Sequence, residues 1–225
     1  MGFSIRRYLL AVLSRRELDI GQMDWKYLRF SHAQYGEDII IEALLAKPQG
    51  FYVDVGAYDP VVISNTYLFY RKGWRGIAID ANPEVVKLFE RKRPRDIVLH
   101  CAVAEEEGAA LFHITKAGPT AHLEGAGIEG PSADKPSHTV SVSRRRLESI
   151  LEEHLPSGQE IDFMSVDCEG HDLSVLRSNN WQKHRPRALA VEDFRPESDS
   201  QICRFLFALG YRLVLTAGVT RIFSQ

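Results

Sequence analysis

Acidic side chains end the short apolar runs of this chain, where a parallel sheet would bring them together. Asp54 lies in the run Phe51–Gly56, and Asp80 ends the run Gly76–Asp80, one strand–helix–strand step later. Ligands bind beyond the carboxyl ends of parallel strands, near the point where the strand order reverses. The spacing therefore predicts a nucleoside cofactor that spans the first two strands, with Asp80 accepting both ribose hydroxyls and Gly56 allowing close backbone approach.

A second acidic group follows later strands. Asp167 ends the predicted strand Ile161–Asp167, and Glu192 and Asp193 end the next one. Clustered carboxylates repel one another, so a cation or hydrogen-bond donors must compensate them. Three oxygen ligands with added waters suit Mg²⁺, which predicts a metal site at Asp167, Glu192 and Asp193. The alternative is that Asp167 and Glu169 cap the next helix, while Glu192 and Asp193 only line the pocket.

His171 follows Asp167 by one short turn. A histidine changes its charge near neutral pH, so it can remove a proton from a hydroxyl group during a transfer reaction. His171 is thus the candidate general base, with Asp167 beside it in the catalytic group. The alternative is a residue at a helix N-terminus that hydrogen-bonds its neighbours.

The first turn of the predicted sheet carries a single glycine, Gly56, in the stretch Asp54–Pro60. The G-x-G-x-x-G fingerprint of dinucleotide-binding proteins is absent, so a pyrophosphate would be poorly cradled here. S-adenosylmethionine has no phosphates and needs no such cradle. The turn therefore favours a methyl donor over a nicotinamide cofactor.

Strands and helices alternate along most of the chain, which predicts an α/β fold. The last two strands, Tyr211–Thr216 and Val219–Ser224, flank Ala217-Gly218 and should form an antiparallel hairpin. A mostly parallel, seven-stranded sheet closed by such a hairpin suggests the Rossmann-like fold of class I methyltransferases. We assign residues 31–225 to that domain, with a Gly- and Pro-rich inserted loop over 116–138.

Composition limits the other possibilities. The 225 residues are 26% charged with a net charge of −2, so neither disorder nor a dedicated nucleic-acid binder is expected. The three cysteines, Cys101, Cys168 and Cys203, are sparse and form no CxxC pair, which suits a reducing cytoplasm. Residues 1–30 predict an amphipathic helical arm, packed on the domain rather than laid on a membrane. The oligomeric state is open.

Several motifs together resemble the FkbM-type methyltransferases. They are Gln34-Tyr-Gly-Glu-Asp38, Asp54-Val-Gly-Ala57, Ser64-Asn-Thr66 and Asp167-Cys-Glu-Gly170, and the resemblance runs from about Ser31 to the end of the chain. It implies an S-adenosylmethionine-dependent O-methyltransferase that acts on a hydroxyl of a sugar, glycoside or secondary metabolite. The predicted acidic site is also similar to that of Mg²⁺-dependent macrolide-sugar O-methyltransferases, in which the metal orients a sugar diol.

The resemblance also implies where the parts of the cofactor lie. Asp80 and its neighbour Ala81 would take the ribose, and Ala102 and Val103 would lie beside the adenine. The methionine end would be lined by Gln34, Asp54, Gly56, Ala57, Ser64 and Asn65. Ser64 and Asn65 have an alternative as the capped start of a helix.

Two other functions stay open from the sequence. One is a nicotinamide-dependent oxidoreductase built on the same α/β arrangement, against which the single-glycine turn and the closing hairpin argue. The other is a non-catalytic, methyltransferase-like binding module. Its weakness is that such a module has no need to retain Asp54, Asp80, Asp167 and His171.

Overall fold

Eleven short strands form two sheets in the computed structural model, which describes residues 28–114 and 138–225 and the backbone of 122–123. The chain divides into two compact units, Met1–Phe30 and Ser31–Gln225, and the second contains every element below. The predicted arm, up to residue 27, and most of the predicted loop over 116–138 lie outside the described residues.

The strands are β1 (Phe51–Val55), β2 (Arg75–Asp80), β3 (Ile97–His100), β4 (Ala102–Val103), β5 (Gly108–Ile114), β6 (His122–Leu123), β7 (His138–Arg145), β8 (Phe163–Val166), β9 (Ala188–Glu192), β10 (Arg212–Ala217) and β11 (Thr220–Ser224). The helices are α1 (Glu37–Leu45), α2 (Tyr67–Arg71), α3 (Pro83–Lys92), α4 (Leu147–His154), α5 (Asp172–Arg177) and α6 (Gln201–Ala208), and a 3₁₀ turn spans Glu197–Asp199.

The main sheet has the strand order β10-β11-β9-β8-β1-β2-β3. The five strands from β9 to β3 run parallel, whereas β11 pairs antiparallel with β9, and β10 pairs antiparallel with β11. Strands β1, β8 and β9 are buried at every position, as expected where helices cover both faces of a sheet. This topology confirms the predicted class I methyltransferase fold.

Local sequence signals set the helix starts next to the site. The Asn82 side chain accepts a hydrogen bond from the Glu84 N–H at the start of α3, and Pro83 occupies the first helical position. Ser200 caps α6 by accepting from the Cys203 N–H. Helix α6 therefore begins at Gln201, and the chain before this cap forms the 3₁₀ turn.

The second sheet begins where the chain leaves the main sheet. Cys101 separates β3 from β4, and β4 pairs with β7 instead of continuing along β2. The small sheet has the order β4-β7-β5-β6, with β5 antiparallel to both neighbours. No local pattern in the sequence shows that β5 and β7 form a separate sheet. Among the described residues no helix is long and apolar enough to cross a membrane.

Gly56 allows the ends of β1 and β8 to come together. Its φ is +78°, and a Cβ atom there would lie 1.7 Å from the carbonyl oxygen of Asp167. The neighbouring N–H groups of Gly56 and Ala57 both donate to the Ile79 carbonyl. The backbone that comes close to Gly56 is therefore that of Asp167, which follows the neighbouring strand β8. This contact fixes Asp167 beside the turn after β1.

We predict that Gly56→Ala lowers the free energy of unfolding by about 3 kcal/mol or more, because the backbone of Asp167 must move as well as the turn. Gly73→Ala is the matched control, since Gly73 also has a positive φ of +93° but has open space where the Cβ would lie. It should cost only about 1 to 2 kcal/mol. Equal losses for the two variants in urea unfolding would refute the close-packing explanation.

Candidate functional site

A cavity of about 350 Å³ lies at the carboxyl ends of β1, β2, β8 and β9, where the fold predicts a ligand. Its size is in the range of small-molecule and cofactor sites. Nearly all of the site residues predicted from the sequence line it. They are Gln34, Asp54, Gly56, Ala57, Ser64, Asn65, Asp80, Ala81, Ala102, Val103, Asp167, His171 and Glu192.

Asp80 is held by the loop that follows β1. Its carboxylate accepts hydrogen bonds from the backbone N–H groups of Tyr58 (2.9 Å) and Asn82 (2.7 Å). Burial raises the pKa of Asp80 to about 6, although both of these hydrogen bonds act in the opposite direction. Each carboxylate oxygen keeps a free lone pair after these bonds, so Asp80 is fixed in orientation and can still accept from a ligand hydroxyl.

One wall of the cavity is apolar and belongs partly to the second sheet. Ala81 and Ala102 form a buried cluster with Phe112 and Ile114 of β5 and with Val142 of β7. The first four of these residues also line the cavity. The two alanines were predicted, whereas the wall from β5 was not, because the sequence gives no sign that the small sheet covers this edge. The wall suits a flat apolar group such as a nucleobase.

Asp54 and the stretch Ser64–Thr66 are held together behind the cavity by Arg93. This arginine is fully buried, and it donates to Pro60 O (2.7 Å), Thr66 Oγ1 (2.8 Å) and Ser64 Oγ (2.6 Å). Thr66 in turn donates to Asp54 Oδ2. Burial raises the pKa of Asp54, and the nearby Arg93 opposes that shift. Arg93 thus sets the conformation of the loop that forms this side of the cavity.

The aromatic surroundings of Arg93 explain how a buried cation is tolerated. Its guanidinium lies 4.8 Å from the ring centroid of Phe89 and 5.3 Å from that of Tyr67. The carboxylate of Asp96, whose side chain is also buried, is 3.8 Å away. Sequence reasoning missed this residue because Arg93 stands among other basic residues after α3, where the pattern predicts a solvated charge run.

The motif Gln34–Asp38 contributes only its first part to the cavity. Gln34 and Tyr35 line it, whereas the buried Glu37 and Asp38 hold their own loop. Asp38 accepts from Ser31 Oγ (2.6 Å) and the His32 N–H (2.7 Å), and Glu37 accepts from the Tyr35 N–H (2.7 Å). On the opposite side, Asn65 reaches β8 by donating to Ser165 Oγ.

The partly buried Asp167 and the buried Glu192 form a carboxyl pair in the cavity wall. Burial raises the pKa of both groups, and repulsion from Asp167 raises that of Glu192 further, so the pair retains a proton at neutral pH. Glu192 Oε2 is buried and has no hydrogen-bond partner. An unsatisfied buried oxygen is costly, and its position in the cavity wall offers a ligand donor a partner.

The turn after Asp167 adds two more acids. Asp172 accepts from the N–H groups of Cys168 (2.9 Å) and Gly170 (3.1 Å), which closes the turn before α5. Burial, and then the charge of Asp167, raise the pKa values of Asp172 and Glu169 to about 7 each. Glu169 lines the cavity and has a φ of +50°, a backbone conformation that costs energy in a residue other than glycine.

Asp193 lies apart from the other two predicted metal ligands. Its carboxylate forms an ion pair with Arg221 (2.9 Å), and it accepts from the Ser200 hydroxyl and the Arg195 N–H. Successive residues at a strand end point to opposite faces, so Glu192 faces the cavity and Asp193 does not. Within the described ranges, no group of three or more His, Cys, Asp or Glu side chains is arranged to hold a metal ion. The expected three-carboxylate arrangement is therefore not formed there.

His171 is the residue immediately before α5, and its N–H donates to the Cys168 carbonyl. The side chain gives α5 no capping hydrogen bond, and His171 borders the cavity. The structure therefore brings His171 and Asp167 to one cavity, as expected from the sequence.

Comparison with known proteins gives a family match. A family model described as the methyltransferase FkbM domain matches residues 54–213. This range includes the end of β1, all of β2, β8 and β9, and most of the residues that line the cavity. Among curated proteins, none matches at a significant level.

Several solved structures are similar at low sequence identity. A TehB-like SAM-dependent methyltransferase from Corynebacterium glutamicum has a TM-score of 0.43 at 11% identity, covering 98% of this chain and 96% of its own. The Burkholderia thailandensis 1,6-didemethyltoxoflavin-N1-methyltransferase, with bound S-adenosylhomocysteine, has 0.43 at 15%, covering 100% and 90%. A putative RNA methyltransferase from Pyrococcus horikoshii has 0.43 at 10%, covering 84% and 82%.

We predict that Arg93→Lys lowers the free energy of unfolding by roughly 2 to 3 kcal/mol, because an ammonium group cannot replace the three hydrogen bonds of the guanidinium. Arg95→Lys is the matched control. Arg95 is exposed, stacks on Tyr70 and donates to its carbonyl oxygen, so its loss should stay below about 1 kcal/mol. Urea unfolding measures both variants, and a small loss at Arg93 would contradict its role as the centre of the loop.

Proposed function

The chain belongs to the methyltransferase FkbM domain family, and from this we propose that it transfers a methyl group from S-adenosylmethionine to a hydroxyl group of a small-molecule acceptor. The observation that carries the choice of methyl donor is the charge of the cavity. Five carboxyl groups line it, and among the described residues that line it there is neither a lysine nor an arginine. The five are Asp54, Asp80, Asp167, Glu169 and Glu192.

Such a wall distinguishes between the two cofactors considered from the sequence. S-adenosylmethionine carries a positive sulfonium and a positive ammonium group, both of which a carboxyl-rich wall attracts. A nicotinamide dinucleotide carries a negatively charged pyrophosphate. The same wall repels this group and has no cation to bind it. The lining therefore supports a methyl donor and opposes the oxidoreductase alternative.

The residues present fit the methyl donor. Asp80 would accept from the ribose hydroxyls, with Ala81 beside it, while Ala102 and Val103 would face the adenine along the apolar wall. Gln34, Asp54, Gly56, Ala57, Ser64 and Asn65 would surround the methionine end. When bound, S-adenosylmethionine supplies an electrophilic methyl carbon on a sulfonium leaving group.

The protein's part in the transfer is to align the acceptor and to receive one proton. The acceptor oxygen forms a bond to the methyl carbon as the carbon–sulfur bond breaks, and S-adenosylhomocysteine leaves. His171 takes the hydroxyl proton, and Asp167 stabilises the positive imidazolium that results. The unsatisfied Oε2 of Glu192 can hold a hydroxyl or another donor of the acceptor in place.

A magnesium ion has no complete ligand set among the described residues, since Asp193 is engaged by Arg221.

The acceptor proposed from the family resemblance is a sugar, glycoside or secondary metabolite. The cavity mouth supports an acceptor with an apolar portion, because Tyr35, Ile63 and Phe194 line the cavity and yet are exposed by 47%, 44% and 67%.

All three cysteines are free, which agrees with the proposed cytoplasmic location.

We predict that the preference of the protein for S-adenosylmethionine over S-adenosylhomocysteine increases by roughly tenfold from pH 5.5 to pH 8. The pKa of Glu169 is raised to about 7, so this group loses its proton as pH rises through this window. The negative charge that appears attracts the sulfonium, which the product lacks.

Calorimetric titration with each ligand at the two pH values measures this preference. The product is the internal control, because it shares the ammonium, carboxylate and nucleoside of the donor. A ratio of dissociation constants that does not change with pH would show that the cavity carboxyls do not face the sulfonium.

We predict that His171→Ala lowers turnover by roughly 10²–10⁴-fold while the affinity for S-adenosylmethionine changes less than about twofold. Turnover is followed as S-adenosylhomocysteine released with a panel of methyl glycosides, and affinity by calorimetry. His154→Ala is the control, since His154 ends α4 and contacts Glu153. Equal loss of turnover and affinity at His171 would overturn its assignment as the base.

A further inference from the structure

A second cavity, of about 320 Å³, adjoins the first, and His171 lines both. Its walls come from the small sheet and from α5. The residues that line it include Ala104, Ala110, Arg144 of β7 and Ser174 of α5. A molecule seated there would lie beside the proposed base, His171.

Arg144 is the cation of this second cavity, and it is not neutralised by a described side chain. Its Nε is buried without a hydrogen-bond partner. The two arginines that follow are both engaged. Arg145 pairs with Glu153 (2.6 Å), and Arg146 donates to the Glu105 carbonyl (2.7 Å). A buried N–H of a guanidinium is costly to leave unpaired, so this one indicates a missing acceptor.

A glycine lies beside the guanidinium of Arg144. Gly108 is its partner across the β5–β7 pairing, and a Cβ at Gly108 would lie 3.6 Å from the terminal nitrogen of Arg144. No side chain therefore covers the guanidinium at that position. Ser174 Oγ already accepts from the Glu105 N–H (3.3 Å), so its hydroxyl proton remains available to a ligand oxygen.

Two acids also border this cavity and have to be weighed against an anion. Glu105 and Glu106 line it, but both are exposed, and neither forms an ion pair or a hydrogen bond with Arg144. Solvated carboxylates are screened by water and salt, whereas the buried Nε of Arg144 is not. The unpaired cation therefore dominates the recognition of a ligand in contact with it.

We propose that this second cavity binds an anionic group, a carboxylate or a phosphate, of the methyl acceptor through Arg144 and Ser174, and so places the acceptor hydroxyl at His171. This inference rests on the proposed function for the identity of the ligand as an acceptor. The guanidinium fork matches either oxyanion in a bidentate geometry. The main cavity repels anions, so the negative end of the acceptor has its place only on this side.

The experiment follows the Nε–H signal of Arg144 by NMR, assigned by its absence from Arg144→Gln. Protein is titrated with sodium phosphate and, separately, with sodium acetate, against sodium chloride at equal ionic strength. We expect a saturable shift with phosphate, acetate or both, and a loss of affinity of about tenfold or more in Arg144→Gln when other signals of the cavity are followed. Arg144→Lys should retain part of the affinity, since it keeps the charge without the fork.

Arg145→Gln is the matched control, because it removes the neighbouring charge, which pairs with Glu153 outside this cavity. It should bind the anion as the native protein does. Saturation by phosphate alone or by acetate alone identifies the oxyanion. A shift no larger than with chloride, or binding retained in Arg144→Gln, would overturn the proposal.

The same samples are titrated with S-adenosylhomocysteine to separate this inference from the function on which it rests. Binding of the homocysteine product by the native protein and by Arg144→Gln alike, with oxyanion binding only in the native protein, supports both. Oxyanion binding without S-adenosylhomocysteine binding would leave the anion site standing and remove the methyltransferase reaction. Binding of S-adenosylhomocysteine without binding of an oxyanion would refute the anion site and leave the proposed methyltransferase function unaffected.

Discussion

The desolvation of carboxyl groups at the strand ends is the constraint on which the site depends. The strands that end at Asp80, Asp167 and Glu192 form the core of the fold, so these three carboxyl groups lose most of their contact with water. Burial is the largest cause of the raised pKa of each group. Hydrogen bonds from backbone N–H groups and a shared proton reduce that cost without removing it. In the proposed function, the positive charge of the methyl donor would relieve the rest of this cost, so binding of the donor would stabilise this edge of the sheet.

The buried cations of the fold are kept behind this wall. Arg93 donates a hydrogen bond to Ser64 in the loop before α2, and Arg221 forms an ion pair with Asp193. Each arginine thereby stabilises the backbone next to the cavity without placing a positive charge in it. Arg144 is only partly buried and lines the second cavity. The described lining of the first cavity holds no lysine or arginine, whereas that of the second holds Arg144, and His171 lines both.

The parts of this arrangement that could be predicted are those governed by chain order. Buried runs that end in an acid predict parallel strands, and the ends of parallel strands lie at one edge, so Asp54, Asp80 and Asp167 were expected together. The prediction that Asp193 joins the other two carboxyl groups was wrong, because successive side chains at a strand end point to opposite faces of the sheet. The sequence alone does not show which of Glu192 and Asp193 faces the cavity. Arg93 and the β5 wall were missed because their partners come from distant segments, and neither leaves a local pattern.

The most direct test is calorimetric titration of the purified protein with S-adenosylhomocysteine and, in parallel, with NAD⁺, each with and without Mg²⁺. A carboxyl-lined nucleoside site predicts micromolar binding of S-adenosylhomocysteine, no measurable binding of NAD⁺, and no dependence of the first on Mg²⁺. Binding of NAD⁺ in place of S-adenosylhomocysteine, or binding of neither, would contradict the account of this cavity.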